Sequence, residues 1–310
     1  MSSSQLLGQA KKKIGDGNFL ALSGGLNSSA YLVKVGGRRL VSKRYFQIDA
    51  ATRYSHEVQF LSYCEKIECR LVPKLIACDD STFEVLLEFI SGESLSEISE
   101  EILAFVSLFL LQLNPNGVHN VQLAFARDAL VDCHSFASEL KLRMDALKSL
   151  RYLANEIQFL RTIFDAVDSI LSRRESIDVA MSYLISQVIE SRGSEFIISP
   201  SDLGAHNMIK TQNGLRFIDF EYAGRDSPIK LFGDFISHPR HTLDASKRRD
   251  FHKSNEHLFG FDYESFSDFY MLLFGLKWCL IMSKRIDSNQ GYTQLMKLES
   301  YFKSQVEPLL

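Results

Sequence analysis

Two polar loops, each closing an apolar run, constrain this chain more than anything else in it. The first is FIISPSDLGAHNMI, Phe196–Ile209, which gathers Asp202, His206 and Asn207 just behind a buried-looking strand. The second is RFIDFEYAG, which sets Asp219 seventeen residues after Asp202. A side chain at the end of an apolar strand projects into open space while the strand itself stays buried. Taken singly, Asp202 and Asn207 read as turn caps and Asp219 as a strand-end turn residue, since Asp and Asn favour turns. Taken together, two carboxylates and an amide suit phosphoryl transfer from a magnesium nucleotide. Magnesium takes hard oxygen ligands in octahedral geometry and needs only one or two from a protein. On that reading Asn207 and Asp219 are the metal ligands. Asp202 is left to orient an acceptor hydroxyl and receive its proton, while positioning and charge neutralisation carry the rate.

The rest of the chain is read for a scaffold. Its 310 residues are comfortable for two lobes. NFLALSGGLNSSAYLVKVGGRRLVSKRYF, residues 18–46, predicts three strands with turns at Gly24-Gly25 and Gly36-Gly37. Ala51 to Ile67 predicts a helix on the spacing of Tyr54, Val58, Leu61 and Ile67. RLVPKLIACDDSTFEVLLEFISG predicts two more strands around the Asp79-Asp80 turn. Composition changes after Gly92. A Ser-x-x-Glu capping pattern opens SLSEISEEILAFVSLFLLQL, and helices are predicted over most of residues 123–192 and 263–310. Two short strands interrupt them, near Phe196–Ile198 and Leu215–Ile218, with GLRF as the turn into the second. The fold class is α+β. Residues 1–92 form a small antiparallel β lobe with one helix, and residues 93–310 a larger, mainly helical lobe. A cleft between them is the expected ligand site.

Composition excludes several partners. A formal net charge of -3 gives no pull toward nucleic acid or an anionic membrane. The five cysteines are irregularly spaced and lack a CxxC, which argues against zinc and disulfides and for reduced thiols in a cytoplasmic protein. The N-terminus lacks an apolar signal core. Leu103 to Leu113 is too short to span a bilayer and reads as a core helix.

SDLGAHN together with IDFEYAG resembles the aminoglycoside phosphotransferase and choline kinase group, which has the bilobal protein-kinase-like fold. The group's catalytic loop reads H-G-D-x-x-x-x-N and its metal loop I-D-F-E or I-D-W-E. The resemblance implies ATP and Mg2+ as cofactors, Asp202 as catalytic base, and Asn207 and Asp219 as metal ligands. It departs at Pro200 and Ser201, which stand where the group has His-Gly. SGGLNSSAYLVKV resembles the group's phosphate segment. Gly24 and Gly25 would let the backbone approach the phosphates, with Asn27 and Ser28 as donors. A Gly-Gly turn alone is equally a plain hairpin, and no Walker loop is present. Lys43 shares a strand face with Val41 and Tyr45, and a buried lysine there needs a partner or a phosphate. The resemblance makes Glu57 its ion-pair partner. The alternative is an edge-strand lysine and a solvated glutamate, with Lys34 and Arg44 as weaker candidates for the lysine role. LLEFISG matches the group's hinge, where backbone from Glu88 to Ile90 would meet adenine. Asp234 matches a downstream Asp with a bracing role.

The implied reaction moves the γ-phosphoryl group of ATP to a small-molecule hydroxyl acceptor, with no nucleic acid and no membrane span involved. The sequence also resembles an uncharacterised bacterial branch associated with surface polysaccharides, so a sugar or amino alcohol is the expected acceptor. The basic run HPRHTLDASKRRDFHK would favour an acceptor carrying phosphate or carboxylate, or is simply a basic surface. Trp278 is either core or acceptor-pocket lining. Two rivals remain. One is a nucleotide-binding pseudokinase, raised by the altered SPSD. The other is a protein kinase, opposed by the lack of an A-P-E segment after Asp219.

Overall fold

The structure is a computed structural model, and it describes every residue except 1, 23–26, 116–121, 151–157, 285 and 287–290. By contact the chain divides into two compact units. The first comprises Met1–Ser96, Leu108–Arg127 and Ile198–Arg225, and the second Glu97–Ser107, Asp128–Ile197 and Asp226–Leu310. Both loops singled out above thus group with the N-terminal sheet.

The first unit opens with helix α1 (Ser3–Gly15), followed by strands β1 (Leu20–Ala21), β2 (Ser28–Val35) and β3 (Arg38–Tyr45). Helix α2 (Ala50–Lys66), strand β4 (Leu75–Asp79) and strand β5 (Glu84–Glu88) complete an antiparallel sheet of order β1-β2-β3-β5-β4. The predicted strands and α2 are all present, but the unit has a second helix that the sequence reading did not assign. Ser2 caps α1 through a reciprocal box with Gln5. That helix presses Leu6, Leu7 and Ala10 against Val33, Val35, Leu40 and Leu86 on one face of the sheet. Strand alternation then turns Lys43 and Tyr45 to the opposite face. There α2 packs, so both faces are covered and β3 can carry buried residues of either parity: Leu40, Ser42, Lys43 and Tyr45.

After Gly92 a short strand β6 (Glu93–Ser94) pairs with β8 (Met208–Thr211), which in turn pairs with β9 (Gly214–Phe217). This corrects two expectations. Ser94 is drawn into that strand, so the cap of helix α3 (Glu100–Leu113) falls to Ser99, whose Oγ accepts the Ile102 N–H at 3.3 Å. GLRF is a strand itself, not a turn, because Leu215 and Phe217 are buried against the sheet partner while the turn falls at residues 212–213. Strands β7 (Ile197–Ser199) and β10 (Gly224–Asp226) form a further pair.

The second unit is helical, as predicted: α4 (Ser135–Ser149), α5 (Gln158–Leu171), α6 (Arg174–Arg192), α7 (Pro228–Ile236), α8 (Ala245–Ser254), α9 (Glu256–Phe259), α10 (Ser267–Ser283) and α11 (Gly291–Gln305). Glu264–Ser283 is long and apolar enough to cross a membrane by length and composition alone. Within the unit it is a core helix. Tyr270, Leu273, Phe274, Leu276 and Leu280 are buried, and the buried Lys277 ammonium pairs with Asp234 at 2.7 Å. The Leu103–Leu113 run lies in α3, where Phe109 stacks on Phe217 with ring centroids 4.2 Å apart.

Candidate active site

The β8–β9 hairpin sets the two predicted metal ligands at one end of a ladder. Met208 faces Phe217 across it, and the Asn207 carbonyl accepts the Ile218 N–H at 2.9 Å. Asn207 therefore stands opposite the residue that precedes Asp219. Behind the hairpin, β7 delivers residues 200–204 into a tight loop. The Asp202 Oδ1 accepts the Gly204 N–H at 3.0 Å, and the Asn207 Nδ2 donates to the Asp202 carbonyl at 3.2 Å. With its nitrogen engaged there, the buried Asn207 amide keeps Oδ1 as the end suited to a cation. His206 Nε2 lies 3.7 Å from Asp202 Oδ2. Both loops contain a non-glycine residue in the left-handed region, Ser201 at φ 67° and Asp219 at φ 69°. Such residues are uncommon and concentrate where surrounding structure over-determines the backbone.

Lys43 joins the Asp219 loop to the sheet. Its strand is flanked by β2 and β5, with Lys43 opposite Ala30 and Val85, so it is not an edge lysine. The Nζ donates to Glu57 at 3.0 Å and to Asp219 at 2.5 Å, and Glu221 lies at 3.5 Å. Burial works against charge on this amine, but the Asp219, Glu57 and Glu221 carboxylates outweigh it and hold the ammonium well above its ordinary pKa. Burial pushes the Glu57 carboxyl up, partly offset by Lys43. Lys34 and Arg44, the weaker candidates, are exposed.

One face of α2 grips the whole segment after Asp219. Glu57 Oε1 accepts the Phe220 N–H at 3.3 Å, and the Phe60 ring stacks on Phe220 with centroids 4.6 Å apart. The His56 Nδ1 lies 2.7 Å from the Ala223 carbonyl. Arg53 Nη1 donates to Glu221 at 2.7 Å and to the Tyr222 hydroxyl at 2.5 Å. Residues 53, 56, 57 and 60 are a helical stripe. The far side of the segment is zipped to residues 124–127: Arg225 N–H to Ala124 O at 2.9 Å, Ala126 N–H to Arg225 O at 2.8 Å, and Arg127 N–H to Tyr222 O at 3.1 Å. Gly224 is required there, because a Cβ would meet the Ala124 carbonyl at 2.5 Å and the Ala126 nitrogen at 2.6 Å. Burial and the Glu221 charge push the Tyr222 phenol up to about 12, so it remains a neutral hydroxyl. Arg53, His56, Glu221, Tyr222 and Arg127 were not singled out in the sequence, although Glu221 and Tyr222 stand inside the IDFEYAG motif itself.

The remaining predicted residues are placed as follows. Gly24 and Gly25 lie outside the described residues. Asn27 Nδ2 donates to the Tyr222 hydroxyl at 3.1 Å, and its carbonyl accepts the Phe46 N–H at 3.1 Å. Ser28 is buried in β2 opposite Tyr45, whose ring lies 4.8 Å from the Lys43 ammonium. The Glu88 N–H is already donated to Lys74 O at 2.9 Å, and its carboxylate accepts Arg216 Nη2 at 3.1 Å. The Glu88 amide, in the stretch expected to meet adenine, is thus engaged within the sheet. Ile90 is buried. In the second unit Asp234 binds Lys277 and Lys230 rather than solvent, and its carbonyl accepts the Trp278 Nε1–H at 3.2 Å.

No protein-family model matches the sequence, and no curated protein matches it. Solved structures do match. The chain is similar to APH(2")-IIa in its gentamicin complex, with a TM-score of 0.63 at 16% identity over 95% of each chain. It is similar to the ADP-bound aminoglycoside phosphotransferase APH(2'')-Ib, with a TM-score of 0.61 at 16% identity over 99% of each chain. It is also similar to the choline kinase LicA from Streptococcus pneumoniae, with a TM-score of 0.57 at 16% identity over 96% of this chain and 98% of that one. The expected fold class is right: the chain shares the fold of aminoglycoside phosphotransferases and choline kinases along nearly its whole length.

Proposed function

We propose that this chain is a phosphotransferase that moves the γ-phosphoryl group of ATP to the hydroxyl of a small molecule. The observation that carries the reading is the buried Lys43, held between Glu57 at 3.0 Å and Asp219 at 2.5 Å. A lysine so placed has no apolar packing role, and a buried ammonium beside Asp219 supports a polyphosphate site there. Asn207 Oδ1 and the Asp219 carboxylate are hard oxygen donors and fit a magnesium ion. Bound there, the ion would neutralise charge on the nucleotide phosphates. Asp202 accepts the proton of the acceptor hydroxyl as its oxygen bonds the γ-phosphorus. The bond from that phosphorus to the β,γ-bridging oxygen breaks, and ADP departs with the electron pair. The Gly204 N–H on Oδ1 fixes the carboxylate for this role.

The solved neighbours, an aminoglycoside phosphotransferase and a choline kinase by name, support an alcohol-type acceptor, and we keep sugars and amino alcohols first. We place the activity in the reducing cytosol, where the five free cysteines stay thiols. The test is Asp202→Ala, read by magnesium-dependent ADP release across a panel of sugars, amino alcohols and aminoglycosides. We expect turnover to fall about 10²–10⁴-fold, the usual contribution of a general base, with ATP-dependent thermal stabilisation retained. Undiminished turnover would remove Asp202 as the base. Stabilisation by ATP without turnover in the unaltered protein would favour the nucleotide-binding scaffold.

A further inference from the structure

We propose that Arg53 and the Tyr222 hydroxyl form a clamp that positions the phosphate segment through Asn27, coupling it to the loop that carries Asp219. This rests on the nucleotide reading above for its purpose, though not for its geometry. Arg53 is aimed by Asp49: its Nε and Nη2 donate to the two carboxylate oxygens, each at 2.9 Å. That fork leaves Nη1 directed at Glu221 and at the Tyr222 oxygen. The same phenol oxygen accepts Asn27 Nδ2 at 3.1 Å. One oxygen thus ties α2, the metal loop and the start of β2 together. The ring is held as well, with the Arg53 guanidinium 5.0 Å and that of Arg127 5.4 Å from its centroid.

Charge gives the clamp a second effect. Arg53 takes Glu221 at 2.7 Å, while Lys43 stays 3.5 Å from it. Glu221 is therefore neutralised mainly by Arg53, and Lys43 is left to Glu57, Asp219 and an incoming phosphate. Asn27 immediately precedes β2, so a fixed Asn27 fixes where that strand begins relative to Lys43 on its neighbour β3. Arg53 and Tyr222 are positioning residues: neither needs to touch nucleotide for this.

The test uses Tyr222→Phe, which keeps the ring and removes only the shared oxygen. Two readouts are taken: magnesium-ATP affinity by calorimetry, and hydrogen exchange of the Phe46 amide without nucleotide. Phe46 reports because its N–H donates to the Asn27 carbonyl at 3.1 Å. We expect ATP to bind about fivefold or more weakly, within the range for losing a hydrogen bond to a charged group. Phe46 exchange should accelerate, while the Glu88 amide in β5 keeps its rate. In an Asn27→Ala background the same Tyr222→Phe change should alter ATP affinity by about twofold or less, since the link has already gone. An undiminished effect in that background, or unchanged affinity and unchanged Phe46 exchange in the single variant, overturns the clamp. If the unaltered protein binds no magnesium-ATP, the nucleotide reading fails. Phe46 exchange then decides the clamp alone, faster exchange supporting it and an unchanged rate ending it.

Discussion

At the scale of single residues, the two left-handed positions explain what the departure from His-Gly means. Asp219 lies at φ 69°, a region that Asp visits more readily than most residues, and its carboxylate accepts from the Lys43 ammonium of β3. Ser201 at φ 67° stands where the related loops have glycine, which would occupy that conformation without strain. Its backbone N–H donates to Ser199 Oγ at 3.0 Å, a bond that any residue at 201 preserves. The left-handed conformation costs a side-chain-bearing residue about 1–2 kcal/mol, and glycine's extra chain entropy takes back about 0.5–1. Ser201→Gly should therefore stabilise the protein by roughly 0.5–1 kcal/mol, read as a higher urea midpoint at unchanged slope. A lower midpoint would mean that the Ser201 hydroxyl contributes more than its backbone strain removes. The substitution itself was visible in the sequence. The strain was not, because it depends on a dihedral that no residue pattern states.

Among the elements, α2 shows most clearly what was legible and what was not. The apolar spacing of Tyr54, Val58, Leu61 and Ile67 located the helix correctly, yet Val58 and Ile67 are only half-buried. The stripe that grips the metal loop is Arg53, His56, Glu57 and Phe60, all buried and mostly polar. A polar stripe on an amphipathic helix reads as the solvated side, so only Glu57 was found, and that by resemblance. Helix α1 was missed for the reverse reason. Its Ser2-x-x-Gln5 box and its Leu6, Leu7 and Ala10 spacing are both in the sequence. The loops carrying Asp202, Asn207 and Asp219 stood out in the sequence because the chemistry proposed for them needs fixed residue types at fixed spacing. The α2 grip gives a direct prediction. Arg53→Met strands the buried Glu221 charge with Lys43 as its remaining cation, and breaking a buried pair from one side costs about 3–5 kcal/mol. Adding Glu221→Gln should restore a good part of that in chemical denaturation. If the double variant is no more stable than Arg53→Met alone, Glu221 is not the group that Arg53 serves.

For the molecule as a whole, the order of motifs from the phosphate segment to the metal loop was enough to give the fold. The proposed acceptor has no comparable spaced motif in the sequence. Two groups, one in each unit, nevertheless make contributions to the acid response whose sign can be worked out. In the second unit, His252 lies among Phe232, Phe259, Phe261 and Tyr263, with ring centroids 5.0 to 5.6 Å away. Burial there pushes its pKa from 6.5 down to about 4, against the opposing pull of Glu256 and Asp262. The unfolded chain therefore takes up this proton first. Its contribution to stability is complete above pH 6.5 and is lost as pH falls toward 4. In the first unit, the hydrogen bond from Arg53, reinforced by Arg127, lowers Asp49 to about 2. Its contribution is complete above the ordinary carboxylate pKa of about 4 and is lost between there and pH 2. The two windows adjoin without overlapping. Urea midpoints measured from pH 7.5 to 2.5 should fall in two stages, and His252→Phe, which keeps the aromatic packing, should flatten the first stage alone. A first stage of undiminished slope in that variant would mean that His252 is not the group whose protonation sets it.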